Sequence, residues 1–464
     1  MNIKKIHLIA ACGTGMGTLA CMLKEAGYEV TGSDQNVYPP MSDFLESKGI
    51  KLFKGFSPDN MSQGPDLVVI GNAVTKDNVE AKFAIDNNIS YLSMPQALNK
   101  FFGKNKKVIL VTGTHGKTTT ASIMAYLLFE AGYDPSFMIG GILKDFNSSY
   151  RIGKGEYFVI EGDEYDTAFF DKGPKFMHYD PVITINTGIE FDHADIFESL
   201  DNIIEVFKNL LQKLKPDTLL IASKENKTLC DILKFADCRI EKYGEKNNCW
   251  FYDNYLVDDG KAYYKIITPE KEVISIKTSL MGRHNLMNTL AVACAAKDLG
   301  ISNIVLTNAM EKFSGVKRRQ EIRCIKNGIT IMDDFAHHPT AVMETISAIK
   351  PFYKKGRIIA VFEPGTNTSM RNIFQTTYPA SFADADIVCI NEPSGIAKIP
   401  AKERISAKKL VNDIIAMDIN ALYFKNADLI VEFISLEAKE GDLILIMSNK
   451  SFDNIHLKII NSLK

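Results

Sequence analysis

The chain has 464 residues, 46% of them hydrophobic and 24% charged, with a formal net charge of -2 and eight cysteines. That length exceeds one ordinary core and implies two or three domains of a soluble globular protein. The near-neutral balance excludes an extended basic surface for nucleic acid or membrane, and no apolar run reaches the roughly 20 residues of a membrane span.

The cysteines are scattered with no Cys-x-x-Cys pair, so they read as thiols of a reducing compartment, and a cytoplasmic location is expected. Residues 4–11 read as a strand and not as a signal peptide, because the apolar run is short and breaks on Gly13. The turn Cys12-Gly13-Thr14-Gly15-Met16-Gly17 follows, then a helix ending near Gly27. A second strand, Tyr28 to Gly32, ends on Ser33-Asp34. A glycine turn with an acidic residue about twenty positions on is the layout of a dinucleotide-binding unit. The spacing Gly-x-Gly-x-Gly departs from the NAD fingerprint, and a turn for the diphosphate of another nucleotide fits equally well. Further strand–helix units, including Asp66 to Ile70 before Gly71-Asn72, close a parallel sheet near residue 103.

The most informative stretch is 108–120. Val108 to Val111 reads as a buried strand, and Gly113-Thr114-His115-Gly116 turns the chain so that Lys117, Thr118 and Thr119 open a long apolar helix. Free backbone N–H groups and the helix dipole favour an anion there, the lysine reaches terminal phosphates, and a threonine hydroxyl can hold magnesium. Val111 stands where the common phosphate loop has its first glycine, so this is a shortened variant.

The next strand, Glu156 to Ile160, runs into Glu161-Gly162-Asp163-Glu164-Tyr165-Asp166. Parallel strands present their C-terminal ends to the ligand, so Glu161 is expected beside Thr118 as a magnesium ligand, while Asp163 and Asp166 fit a solvated acidic turn. Val182 to Asn186 leads to Glu190-Phe191-Asp192-His193, where His193 is a candidate second metal ligand. A β-rich stretch around Tyr252 to Thr278 precedes Gly282-Arg283-His284-Asn285, which opens another long helix. His284 and Asn285 suit either a purine edge or a helix cap. Beyond Gly315, a strand from Ile329 to Met332 ends in Asp333-Asp334-Phe335-Ala336-His337-His338-Pro339-Thr340. Strands at Arg357 to Phe362, Ile387 to Asn391 and Leu443 to Met447 complete a second doubly wound sheet.

Taken together, these motifs resemble the Mur ligases, the ATP-dependent amide-forming enzymes of bacterial cell-wall synthesis. The likeness rests on residues 113–120, Glu161-Gly-Asp-Glu, Asp192-His193, Gly282-x-His-Asn and Asp333-Asp-Phe-Ala-His-His-Pro-Thr, in that order along the chain. It implies an α/β protein of three domains: a Rossmann-like UDP-sugar domain (1–103), a P-loop ATPase-like domain (104–314) and a Rossmann-like amine-substrate domain (315–464). Residues 32–42, 190–197 and 446–449 are similar to members that act on UDP-N-acetylmuramate and add L-alanyl-γ-D-glutamyl-meso-diaminopimelate in wall recycling. Members that add L-alanine in new synthesis are the alternative, and a nucleotide switch or a dehydrogenase are rivals from other classes.

The resemblance also implies the site. ATP and magnesium are the expected cofactors, with Thr118, Glu161 and His193 on the metal and Lys117, Glu161, His193 and His338 catalytic. ATP would lie along Gly113, Thr114, His115, Gly116, Lys117, Thr118 and Thr119, with His284, Asn285 and Asn288 near adenine and Arg319 and Asp334 near the ribose and phosphates. UDP-N-acetylmuramate would meet Gly13, Thr14, Gly15, Met16, Ser33, Asp34 and Asn72, and the cell-wall peptide Arg371, Ser448 and Asn449. Four departures from the family pattern stand out: Ala10, Thr187-Gly188, Gly365 and Lys450-Ser451.

Overall fold

The computed structural model describes residues 3–38, 41–245 and 249–463. Met1, Asn2 and the Pro39-Pro40 pair of the 32–42 stretch lie outside them. Residues up to 142, with 146–189 and 201–242, form one compact unit, and 143–145, 190–200 and 243 onward form another.

The first unit begins with β1 (Lys5–Ile9), β2 (Glu29–Asp34), β3 (Lys51–Lys54), β4 (Leu67–Ile70) and β5 (Tyr91–Ser93), a parallel sheet in the order β3-β2-β1-β4-β5. Its central strands are apolar because both faces are covered; Leu8, Ile9 and Val68 are fully buried. The expected glycine turn is shorter than its sequence suggests. The helix already starts at Thr14, so Gly15 and Met16 are helical, and Ala10 takes the left-handed turn conformation at φ 64°. A residue with a Cβ is strained there, by about 1 kcal/mol.

The same unit carries a seven-stranded sheet. Its strands are β6 (Lys107–Thr112), β7 (Ser136–Leu143), β8 (Ser148–Arg151), β9 (Tyr157–Gly162), β12 (Pro181–Asn186), β13 (Leu219–Ser223) and β14 (Arg239–Tyr243), while β10 (Asp166–Ala168) and β11 (Asp171–Pro174) form a separate hairpin. The order β14-β13-β12-β6-β9-β7-β8 puts β6 at the centre, parallel to both β12 and β9. The register pairs Val111 with Glu161 and Thr112 with Gly162, which brings the acidic strand end alongside the phosphate loop.

In the second unit, β15 (Phe251–Asp258), β16 (Lys261–Ile267) and β17 (Val273–Thr278) form an antiparallel sheet. The helix Arg283–Asp298 then begins at Gly282, which sits at φ 88° with Ala348 so close that a Cβ would stand 2.1 Å from that side chain. The last sheet comprises β18 (Glu321–Lys326), β19 (Ile329–Asp334), β20 (Ile358–Phe362), β21 (Ile387–Asn391), β22 (Asn420–Phe424) and β23 (Leu443–Met447), ordered β18-β19-β23-β20-β21-β22. Only β18 is antiparallel to its neighbour. One apolar cluster covers each face, centred on Ile346, Phe362 and Tyr378 on one side and Ile430, Ile444 and Ile455 on the other. With β23 inserted between β19 and β20, the strand order reverses there, and ligands of such sheets bind at that crevice. The residues at its mouth are Asp334, Glu363, Ser448 and Asn449.

Candidate active site

At the end of β6, Gly113 adopts φ 121° and Gly116 φ 81°, and the helix Lys117–Glu130 starts immediately after. Only glycine fits at 113, because a Cβ would stand 2.3 Å from Thr187 Oγ1 and 2.8 Å from the Gly188 carbonyl. The loop is held from behind by those same two residues. Thr114 N–H donates to the Gly188 carbonyl at 2.8 Å, and the Thr187 hydroxyl donates to the Thr112 carbonyl at 3.2 Å and also to that of His115. Thr187-Gly188, a departure from the family pattern, is therefore the support of the loop.

The charged groups converge on the helix start. Lys117 Nζ donates to the Gly113 carbonyl at 2.6 Å and to Glu164 Oε2 at 3.2 Å. Burial alone would lower its pKa, but Glu164, Asp163 and Glu161 reverse this and hold the ammonium well above the ordinary lysine range. Thr118 Oγ1 donates to Glu161 Oε2 at 3.0 Å, and Gly140 N–H to Oε1 at 2.6 Å. Burial, then the charge of Asp163, push the Glu161 carboxyl up, against those two donors and Lys117. Asp163 is no solvated turn residue: it accepts from Lys175 at 2.8 Å and from the Tyr165 hydroxyl at 2.9 Å, and the nearby lysines hold it far below the usual carboxylate range despite burial. Asp166 does fit the solvated reading, paired with an exposed Lys172.

On the first sheet, Gly13 and Thr14 are exposed at the helix start and Asn72 is exposed after β4, all at the C-terminal edge. Asp34 ties the two turns together, accepting from Cys12 N–H at 2.9 Å and from Asn36 N–H at 2.9 Å. Two of the expected contact residues have buried side chains. Met16 is 7% exposed, and Ser33 is fully buried with its hydroxyl on Glu80. The buried Glu80 also accepts from Ser57 N–H at 3.0 Å and from Asn60, and although burial opposes it, His7 and those donors keep its pKa low.

The second unit gathers the residues expected around the base and ribose. Asn288 Nδ2 donates to Asn285 Oδ1 at 3.3 Å, Asn285 Nδ2 to Gln320 Oε1 at 3.0 Å, and Gln320 N–H to Asp334 Oδ2 at 2.7 Å. Arg318 and Gln320, on either side of Arg319, are left-handed at φ 59° and 48°, and the Arg319 guanidinium stacks 4.9 Å over Phe335. His284 faces Glu344, with Nδ1 3.8 Å from its carboxylate.

The loop after residue 190 packs on the last sheet. Ala194 N–H donates to Thr368 Oγ1 at 3.0 Å, and Asn367 Nδ2 to Asp195 Oδ2 at 3.1 Å. Asp192, buried, accepts from His193 N–H at 2.7 Å; the positive field of His193, His337 and His338 lowers its pKa against burial. His338 is the N-cap of the helix Pro339–Ile349. Its Nδ1 accepts from Thr340 N–H at 3.2 Å, which leaves Nε2–H to donate to the Phe191 carbonyl at 3.3 Å. That geometry makes it a holder of the 190–195 loop.

At the crevice of the last sheet, Ser448 Oγ lies 3.4 Å from the buried Glu363, and Lys450 Nζ donates to the Ser394 carbonyl at 2.7 Å. Asn449 Oδ1 would stand 2.1 Å from a Cβ on Gly365, so a larger residue at 365 requires the Asn449 side chain to move. Arg371 is paired with Glu403. Glu164, the last residue of the Glu161-Gly-Asp-Glu motif, and Thr187, marked as a departure, have no role legible in the sequence, while Gln320 and Thr368 carry no motif. The first owes its place to the β6–β9 register, and Gln320 to a left-handed turn without glycine.

Parallel-sheet domains, a phosphate loop and a carboxylate beside its first helical hydroxyl define a nucleotide-using α/β enzyme. Three family profiles cover almost the whole chain: "Mur ligase family, catalytic domain" over 5–105, "Mur ligase middle domain" over 111–296 and "Mur ligase, glutamate ligase domain" over 318–450. The chain belongs to the Mur ligase family and has its three-domain architecture. It is 39% identical over 464 aligned residues to the UDP-N-acetylmuramate–L-alanyl-γ-D-glutamyl-meso-2,6-diaminoheptandioate ligase of Escherichia coli K12, covering 99% of this chain and 98% of that one. The UDP-N-acetylmuramate–L-alanine ligase of Clostridium tetani is 33% identical, over 96% and 95% of the two chains. The crystal structure of a murein peptide ligase from Psychrobacter arcticus 273-4 aligns with a TM-score of 0.72 and 33% identity, over 99% of this chain and 98% of that one. No helix among the described residues is long and apolar enough to cross a membrane.

Proposed function

We propose that this Mur ligase joins UDP-N-acetylmuramate to L-alanyl-γ-D-glutamyl-meso-diaminopimelate with ATP as the energy source, in the cytoplasm, as a step of cell-wall recycling. A carboxylate is a poor acylating agent at neutral pH. Its oxygen attacks the γ-phosphorus of ATP, ADP leaves, and an acyl phosphate results. The peptide's amine then attacks the acyl carbon, phosphate departs with the former carboxylate oxygen, and the amine gives up a proton as the amide forms.

The observation that carries this reading is the cluster of Lys117, Thr118 and Glu161 at the ends of β6 and β9. Lys117 offers positive charge to the phosphoryl group as it transfers, and the free N–H groups of the helix start orient the phosphates. A hydroxyl and a carboxylate, 3.0 Å apart, are hard oxygen donors that suit magnesium. Thr118 and Glu161 would hold the ion, which supplies charge neutralisation of the outer phosphates when bound. His193 is proposed to serve the same step. With domain limits of 1–103, 104–314 and 315–464, the UDP-sugar falls to the first sheet, through Gly13, Thr14, Gly15, Asp34 and Asn72, and the peptide to Ser448, Asn449 and Arg371 of the third domain. Asn285, Asn288, Arg319 and Asp334 serve the base and ribose.

The tripeptide is favoured over L-alanine because the relative named for it is 39% identical over 464 aligned residues, against 33% over 450 for the one named for L-alanine. The test is phosphate release with ATP and UDP-N-acetylmuramate, adding tripeptide or L-alanine. Tripeptide-dependent release is expected. Release with L-alanine alone would turn the assignment to wall synthesis, and release with neither would make the protein a nucleotide switch.

A further inference from the structure

An ammonium group has three donors, and those of Lys117 are directed at the Gly113 carbonyl at 2.6 Å, the Thr114 carbonyl at 3.5 Å and Glu164 Oε2 at 3.2 Å. The two carbonyls belong to the loop itself and cannot leave it. Glu164 is a side chain, and it carries the same charge sign as a phosphate oxygen. Both side chains of the pair are shielded, Lys117 13% and Glu164 2% exposed, so the attraction between them is screened far less than on the surface.

The other two carboxylates near Lys117 are engaged differently. Asp163 is held by Lys175 and Tyr165 at 2.8 and 2.9 Å. Glu161 is occupied by Thr118 and the Gly140 N–H at 3.0 and 2.6 Å. Glu164 is therefore the carboxylate that meets the loop lysine directly, in the position where an outer phosphate must accept from it.

We propose that Glu164 is the counter-ion that the nucleotide's outer phosphate displaces from Lys117, so that this carboxylate sets nucleotide affinity and the rate of ADP release. The inference rests on reading residues 113–119 as the triphosphate cradle. Two like-charged groups compete for one ammonium. When ADP loosens, the carboxylate returns to the lysine and prevents immediate rebinding. A Glu164 that merely stabilised the loop would act with the opposite sign, since its removal would weaken nucleotide binding.

The experiment titrates the full chain with a fluorescent ADP analogue and follows its dissociation by stopped flow. Glu164→Gln should tighten binding on the order of tenfold and slow dissociation correspondingly, as removal of one buried competing charge implies. Unchanged or weaker binding by a folded Glu164→Gln protein overturns the proposal. Should that variant not fold, Glu164→Asp carries the test, because it withdraws the oxygen from Lys117 by one methylene while keeping the charge. Tightening there supports the competition, and unchanged affinity overturns it. Lys117→Ala separates this inference from the reading beneath it. If wild-type binding survives that change undiminished, the cradle reading fails and the inference falls with it. If binding depends on Lys117 but Glu164→Gln leaves it unaltered, the inference alone fails.

Discussion

The Thr118 hydroxyl donates to Glu161 Oε2 across 3.0 Å, joining the first turn of the helix after β6 to the end of β9. Burial disfavours the charge on Glu161, so the carboxylate costs stability in order to present negative oxygen beside the loop. Glu161→Gln removes that charge with little change of shape. It should lower kcat by about 100- to 1000-fold, the usual scale for losing one aligned electrostatic group. The melting temperature should hold or rise. Calorimetry and a phosphate-release assay on the same preparation check both halves.

Lys117→Ala removes the ammonium that meets the outer phosphates. Acyl-phosphate formation should fall by at least about 1000-fold, while UDP-sugar binding, measured by calorimetric titration, stays within about twofold of wild type, because the proposed sugar contacts lie on a different sheet. Loss of sugar binding with full ATP turnover would contradict the domain assignment.

Gly113 is at φ 121°, and a Cβ there meets Thr187 Oγ1 at 2.3 Å. Gly113→Ala should destabilise the protein by about 1–3 kcal/mol, the cost of local backbone strain, and abolish turnover. Thr187→Val keeps the shape but removes the hydroxyl that supports the loop carbonyls. It should raise the KM for ATP more than that for UDP-N-acetylmuramate, which steady-state kinetics can separate.

Asp333 gives a pH signature. Burial pushes its carboxyl up to about 6 from 3.8, with Arg318 and Arg323 opposing. Its folded-state pKa is thus above the unfolded value, and the folded chain binds more protons between pH 4 and 6. The contribution of Asp333 to stability therefore falls as pH rises through that window and is at its lowest above it. Asp333→Asn should flatten this part of the profile. Denaturant midpoints of both proteins at pH 4, 5, 6 and 7 give the comparison, and identical slopes would show that burial does not govern this carboxyl.

Much of this arrangement is legible in the residues themselves. An apolar run that stops abruptly on Glu161, or on Asp333-Asp334, marks a strand end, and β9 and β19 end within two residues of the expected positions. The glycine turn near residue 13 misleads, because Ala10 absorbs the left-handed conformation and the helix begins early. Ser33 and Met16 have side chains suited to a ligand but lie beneath the surface, and spacing alone cannot distinguish the two faces of a strand end or helix start. His338 stands in a histidine-rich motif, and it also caps a helix. Glu164 meets Lys117 only once β6 and β9 pair in register, and a long-range pairing of that kind leaves no trace in local composition.

The measurement that bears most directly on the account follows oxygen. UDP-N-acetylmuramate labelled with oxygen-18 in its lactyl carboxylate is incubated with ATP and tripeptide, and the released phosphate is examined by mass spectrometry. Transfer through an acyl phosphate at Lys117 places one labelled oxygen in each phosphate and loses it from the new amide. Phosphate carrying none of the label, with its fourth oxygen taken from solvent, would mean that water, and not the sugar's carboxylate, attacks ATP, and the ligase mechanism would be contradicted.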